Sequence, residues 1–225
     1  MLQAGVRFYG HIMTTQRIHL VQPSADGGGI ESIPTVIVGG GQAGLAMGYY
    51  LQQAGEQFVI LDAELRIGDV WRHRWDSLKL FSFPKYASLP GWPMQLSSFP
   101  THNEMADYLE EYAQRFELPV RSGVRATRVS RSGSGFRVET SHGVLRCDRV
   151  VIATGGYSRP VVPTFADELG PGIRQLHSSA YKNSSQLEGT VLVVGAGNSG
   201  AEIALEAVRS GHQTWLSGRH PGQVP

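Results

Sequence analysis

Cysteine is almost missing from this chain. Cys147 is the only one among 225 residues, which excludes an internal disulfide, a Cys-x-x-Cys redox pair and a cysteine zinc cage. A surplus of either charge is missing too: Lys and Arg number 20 against 19 Asp and Glu. Without a dense basic block there is no electrostatic footprint for nucleic acid or an anionic membrane, and the expected ligands are small molecules. Long hydrophobic runs are absent as well. The longest apolar stretch, Val36 to Tyr50, is broken by Gly39, Gly40, Gly41, Gln42, Gly44 and Gly48, well short of the roughly 20 apolar residues that span a bilayer. Residues 1–33 carry Arg7, Arg17 and the run Ser24 to Gly29, without an apolar stretch leading to a small-residue cleavage site. A flexible leader is therefore expected in place of a signal peptide, and a cytoplasmic location with it.

Glycine is what the chain has in excess, 28 of 225 residues, against about 7% in ordinary proteins. With 41% hydrophobic and 17% charged residues, the chain has the apolar content of a folded protein, and the glycines are expected at turns. They obey a plan. Gly39, Gly41, Gly44 and Gly55 recur 156 residues later as Gly195, Gly197, Gly200 and Gly211. Both sets lie in the same succession of apolar strand, glycine cluster, apolar-periodic helix, glycine and second strand. Each copy fits a strand-helix-strand unit: the first glycine makes a tight turn, the second lets the backbone approach a pyrophosphate, and the third lets helix and strand pack closely. Phosphate is then expected at Gly41, Gln42, Ala43 and Gly44 in one copy and at Gly197, Asn198, Ser199 and Gly200 in the other, where unpaired N–H groups and the helix dipole favour an anion. Glycine turns that bind nothing are the alternative, which the repetition disfavours.

The residues after each second strand separate the two copies. Phe58 to Leu61 leads into Asp62, 18 residues after Gly44, where an acid accepts hydrogen bonds from a ribose diol, as in FAD or NAD. In the second copy Thr214 to Leu216 leads into Ser217 and then Arg219, with no acid. A guanidinium in place of an acid suits the phosphorylated ribose of NADP; an ordinary solvated arginine is the other reading of Arg219.

Between the copies, Thr101 to Glu117 reads as a helix, with capping-box spacing between Thr101 and Glu104 and an apolar stripe of Met105, Tyr108, Leu109, Tyr112 and Phe116 that fits core packing. β-type runs come next at Val124 to Ser130, Phe136 to Thr140 and Val144 to Arg146, with a hairpin signal at Ser132 to Gly135. Val124, which opens these runs, is grouped with the cofactor residues. Arg149 to Ala153 reads as a strand ending in Thr154, Gly155 and Gly156. Ala153, Thr154 and Gly155 thus either meet a ligand or only turn the chain. From Gly68 to Pro100 seven aromatics alternate with four prolines, which predicts an irregular cover over a core or a pocket.

The stretches VIVGGGQAGLAMGYYLQQAGEQFVILD, GDVWRHRWDSLKLFSFPKYASLPGWP, VIATGGYSRP, LHSSAYKN, VLVVGAGNSGAEIALEA and LSGR cover most of Pro34 to Arg219. Together they resemble the flavin-containing monooxygenase family and related bacterial FAD-dependent oxidoreductases. The resemblance implies an α/β architecture: a Rossmann-type FAD-binding domain over 34–165, a linker over 166–190 and the beginning of a second Rossmann-type, NADP-binding domain over 191–225. It implies that Gly68 and Trp71 lie along the flavin, with Asp69 at the second glycine of the family's Gly-Gly-x-Trp stretch. The family's linker signature is matched at His177 and Tyr181, while Pro171 and Ile173 hold its Phe and Gly positions. Implied activity is reduction of FAD by NADPH and transfer of one oxygen atom from O2 to a small organic substrate. No side chain is singled out as acid or base. A flavin reductase that does not oxygenate, and a non-catalytic nucleotide-binding remnant, remain open. Because the second unit ends at Pro225, the resemblance also implies a chain truncated at its C-terminus.

Overall fold

The computed structural model describes residues 30–157 and 159–219. The expected leader, up to residue 29, and the last six residues of the expected NADP-binding domain lie outside them. The elements run β1 (Glu31–Ser32), β2 (Thr35–Val38), α1 (Gln42–Gln53), β3 (Phe58–Leu61), α2 (Asp69–Arg72), α3 (Pro84–Ala87), α4 (His102–Arg115), β4 (Val120–Arg121), β5 (Ala126–Ser132), β6 (Gly135–Thr140), β7 (Gly143–Cys147), β8 (Arg149–Ile152), β9 (Val191–Val194), α5 (Asn198–Arg209) and β10 (Thr214–Ser217).

The apolar runs Val36 to Val38 and Val59 to Leu61 lack the polar alternation of a half-exposed strand, as befits strands covered on both faces. They lie in a parallel sheet of order β4-β3-β2-β8, with β2 between β3 and β8. Ile37 and Ile60 face α1 and α4, where they join Leu45, Met105, Leu109 and Tyr112 in one core. Val36, Val38, Val59 and Leu61 face the other way and pack on Val138, Leu145 and Cys147. The latter belong to a second sheet, β1-β7-β6-β5, antiparallel across β5, β6 and β7. Helices, parallel sheet and antiparallel sheet therefore form three layers, and each fully buried Leu or Ile of the two cores contributes about 1.5–3 kcal/mol. Burial on this scale along both faces fixes the parallel sheet, and with it the ends of β2, β3 and β8.

Residues 31 and 32 depart from the expected leader. They pair in parallel with Leu145 and Arg146, and the Glu31 carboxylate holds the Arg121 guanidinium through two hydrogen bonds. The order of the chain thus begins before residue 34. The hairpin expected at Ser132 to Gly135 is present, with those two residues paired at its end. Helix α4 carries the expected capping box, Thr101 Oγ1 accepting from the Glu104 amide and the Glu104 carboxylate from the Thr101 amide.

Gly68 to Pro100 covers a core. Tyr108 and Tyr112, projecting from α4, donate to the carbonyls of Trp92 and Pro90 at 2.6 Å each, and the Trp92 and Tyr108 rings stack at 5.1 Å. Prolines prevent regular structure here, so the aromatic side chains and their hydroxyls take over the task of holding the backbone. Phe81 and Tyr86 remain exposed. No helix among the described residues is long and apolar enough to cross a membrane.

Candidate functional site

The repeat seen in the glycines extends to the backbone. Strands β2 and β3 pair as Thr35↔Phe58 through Val38↔Leu61, and β9 and β10 as Val191↔Thr214 through Val194↔Ser217, every pair displaced by the same 156 residues. Gly39 and Gly195 both have φ +111°, in the region that side chains disfavour. Their amides donate to the Leu61 and Ser217 carbonyls, each at 2.7 Å. At Gly44 a Cβ would stand 1.8 Å from the Gly39 carbonyl oxygen, and at Gly200 the same distance from that of Gly195. These glycines let each helix press its first turn onto the end of the preceding strand. By contrast, a Cβ at Gly41 or Gly197 would meet no atom within 4 Å. Packing within the chain does not require glycine there; the backbone is bared toward open space.

The first turns of α1 and α5 are left without internal partners. Gly41 and Gly197 are their N-caps, neither has a capping side chain, and neither helix has an acid in its first turn. Helix α4 in the same chain has both. The N–H groups of Gln42, Ala43 and Gly44, and of Asn198, Ser199 and Gly200, have no intrahelical acceptor because of where they stand in the helix. Gln42, Ala43 and Asn198 are exposed and Ser199 is half-buried. The residues present therefore fit an anionic group such as a pyrophosphate at each helix head.

The ends of the second strands differ in a way that the strand register makes plain. Ser217 pairs with Val194 as Leu61 pairs with Val38, so the counterpart of Asp62 is Gly218 and Ser217 stands one residue earlier. This corrects the alignment of Ser217 with the acid. In the first unit the Asp62 carboxylate accepts from the amides of Gly40 and Glu64 at 2.8 Å each, and a Cβ on Gly40 would come within 2.4 Å of it. In the second unit Gly218 carries no side chain: a Cβ there would lie 2.6 Å from the Ala196 backbone nitrogen and 3.1 Å from the Ala196 methyl group. Gly40 is thus a site residue that the motif alone does not reveal, although the contrast between Gly-Gly-Gly and Gly-Ala-Gly in the two copies signals it. Arg219 is exposed and makes no hydrogen bond or ion pair among the described residues.

Other expected site residues fall beside the first cradle to differing degrees. Strand β8 brings Ala153 to Gly39, whose Cβ would strike the Ala153 carbonyl at 2.3 Å, and the chain continues exposed through Thr154 and Gly155. Val124 lies outside the strand it was expected to open, which starts at Ala126. Its amide donates to the Asp62 carbonyl at 2.8 Å, leaving only its own carbonyl for a ligand. Gly68 has a different reason to be glycine from the one the resemblance implies: φ is +91° and a Cβ would lie 2.4 Å from the Ala106 carbonyl oxygen, so the turn sits directly on the α4 backbone. Trp71 is half-buried between two cores. Arg72 ties the same turn to α4 by donating to Asp107 and Glu110, and donates to Asp69 within the turn, a cationic clamp that no motif in the sequence announces.

Two units of one plan, each an uncapped helix pressed on a strand end, define an α/β protein with a repeated Rossmann-type strand-helix-strand arrangement. The chain belongs to the pyridine nucleotide-disulphide oxidoreductase family, whose profile matches residues 36–223. It is 46% identical over 191 residues to an uncharacterized CzcO-like oxidoreductase of Geobacillus kaustophilus, covering 84% of this chain and 55% of that protein. A probable indole-3-pyruvate monooxygenase of Arabidopsis thaliana, YUCCA3, is 32% identical over 78% of this chain and 44% of its own. Among solved structures, the flavin-containing monooxygenase from Stenotrophomonas maltophilia superposes with a TM-score of 0.80 at 37% identity, over 87% of this chain and 61% of that one. The chain thus spans about half the length of the curated relatives it matches. With one cysteine these 225 residues hold no dithiol; Cys147 is buried on β7, and burial pushes its thiol pKa up.

The contrast between the second and third glycines is measurable. Gly44→Ala should cost about 1–3 kcal/mol or more through the clash, whereas Gly41→Ala should change stability by less than about 1 kcal/mol yet weaken dinucleotide binding; urea unfolding read beside cofactor titration checks the pair, and equal stability losses would contradict it. Burial outweighs the two amides and raises the Asp62 pKa above its ordinary value of 3.8. Its proton is then bound more tightly in the folded chain, so this contribution to stability is full at low pH and is lost as pH climbs through the raised midpoint. Carbon NMR titration of the Asp62 carboxyl in the ligand-free chain should show that upward shift, and a midpoint at or below 3.8 would contradict it.

Proposed function

We propose that the first cradle holds FAD, the second holds NADPH, and that the protein of which this chain forms part is an NADPH-dependent flavin monooxygenase acting on a small organic substrate. One observation carries the reading: two uncapped helix heads of one backbone plan whose second-strand ends differ, an acid at one and none at the other among the described residues. Asp62 accepts from the Gly40 and Glu64 amides, and its remaining lone pairs would accept from a free ribose diol. At the second cradle, Gly218 offers no charge to repel a 2′-phosphate, and exposed Arg219 lies next to it as a donor. The monooxygenases among the relatives support the oxygenating chemistry.

When bound, the two cofactors supply the redox chemistry: substrate, O2, NADPH and a proton give oxygenated substrate, water and NADP+. The chain's own residues bind and orient. Amides at the heads of α1 and α5 fix the pyrophosphates; Asp62 anchors one adenosine; Ala153 to Gly155 bound the first cradle where β8 ends. A reductase that passes electrons to another acceptor would use the same residues, and product analysis separates the two: NADPH consumption without oxygenated product favours the reductase.

Arg219→Ala should weaken NADP+ binding by roughly tenfold or more, the loss of one charge-assisted contact of about 1.5–3 kcal/mol. Gly218→Asp combined with Ala196→Gly, which puts an acid at the position matching Asp62 once the backbone at residue 196 shifts to admit its Cβ, should shift preference from NADPH toward NADH. Titration of both nucleotides checks this, and an unchanged preference in both variants would overturn the assignment of the second cradle.

A further inference from the structure

The two units meet at a place that neither glycine motif contains. Helix α5 begins at the second cradle, and further along it the Glu206 carboxylate accepts from Ser77 Oγ at 2.5 Å and from the Ser184 amide at 3.2 Å. Ser77 belongs to the segment that continues from Trp71 beside the first unit; Ser184 belongs to the linker. Ile203, one turn before Glu206, packs with Trp75, Leu78 and Tyr181 in a separate core. The Tyr181 hydroxyl is buried without a hydrogen-bond partner, and burial, followed by the charge of Glu206, raises its pKa. Behind this contact the linker is fastened to residues 73–76: Lys182 Nζ donates to the His73 and Arg74 carbonyls, the Asp76 amide to the Lys182 carbonyl, and Asn183 Nδ2 to the Asp76 carboxylate. Each of these bonds joins the linker to one segment, whereas Glu206 joins that segment, the linker and α5 together.

We propose that Glu206 is a positioning residue: by holding Ser77 and Ser184 it sets the angle at which the cradle at the head of α5 faces the cradle at the head of α1. The inference rests on the reading of those cradles as NADP and FAD sites. Flavin and nicotinamide rings must stack closely for hydride transfer, and a small error in orientation between two rigid bodies costs rate without costing affinity for either. A partly buried carboxylate with two donors is suited to the task because each bond is directional and strengthened by its charge.

The test places spin labels at Gln53→Cys on α1 and Val208→Cys on α5, both exposed positions, in the full chain. Cys147, 5% exposed, is shielded from the label. Glu206→Ala should widen the inter-label distance distribution roughly twofold or more, as expected of units whose interface is unlocked. Ser77→Ala should widen it less, and Glu206→Gln, which keeps one acceptor oxygen, should fall between. In parallel, FAD and NADP+ affinities should each stay within about twofold, while the change that saturating NADP+ makes to the absorbance of bound FAD falls roughly fivefold in Glu206→Ala. Unchanged distance distributions in both Glu206→Ala and Ser77→Ala would overturn the proposal, even if the melting temperature drops. Absence of FAD binding by the parent chain would instead sink the cofactor reading, and the label distances would still decide the role of Glu206.

Discussion

Everything at the two cradles depends on one steric constraint, the contact between the third glycine of each motif and the carbonyl of the first. With no Cβ at Gly44 or Gly200, the first helical turn descends onto the end of the strand that precedes it. The first-turn N–H groups are thereby aimed past the end of the sheet, and no capping side chain satisfies them. In α4 the protein has solved the same problem with Thr101 and Glu104, so the lack of a cap at α1 and α5 sets those two helices apart from it. A site for an anion arises from what the packing leaves unsatisfied.

Equal backbones have been put to unequal uses. In the first unit Gly40 leaves room for the Asp62 carboxylate; in the second, Ala196 occupies that room and Gly218 carries no side chain. In the first unit the acid is coupled to a glycine at the end of the neighbouring strand, because a Cβ on Gly40 would strike the Asp62 carboxylate; in the second, a Cβ on Gly218 would strike the backbone nitrogen of Ala196 before its methyl group. The surroundings differ as well. Strand β2 is buried between β3 and β8, whereas β9 pairs with β10 alone among the described residues, and Leu192 and Val194 on it are exposed.

Most of the fold could be read from sequence because it rests on periodic signals: glycines at a fixed displacement, the capping box of α4, the Ser-Gly-Ser-Gly hairpin. What escaped was decided by contacts between distant segments. The pairing of Ser217 with Val194 sets which residue matches Asp62, and a strand run read from composition alone is aligned one residue early. Val124 looks like a strand start but its amide is taken by Asp62, a contact with no local signature. Glu31 and Ser32 look like leader because two residues are too few to show alternation; their partners, Leu145 and Arg146, lie far along the chain. Gly68 reads as a ligand glycine, and the α4 backbone pressed against it adds a packing demand for glycine that no local pattern announces. Glu206 lies on an otherwise ordinary amphipathic helix, and only the spatial arrival of Ser77 and Ser184 distinguishes it from its neighbours.

The central claim is that one chain carries two separate dinucleotide cradles of different preference. Equilibrium dialysis of the flavin-free chain against FAD and NADP+ together tests it most directly. One molecule of each bound per chain, neither displacing the other, is the result this account predicts. Mutual displacement of the two dinucleotides, or saturation with only one of them, would contradict it.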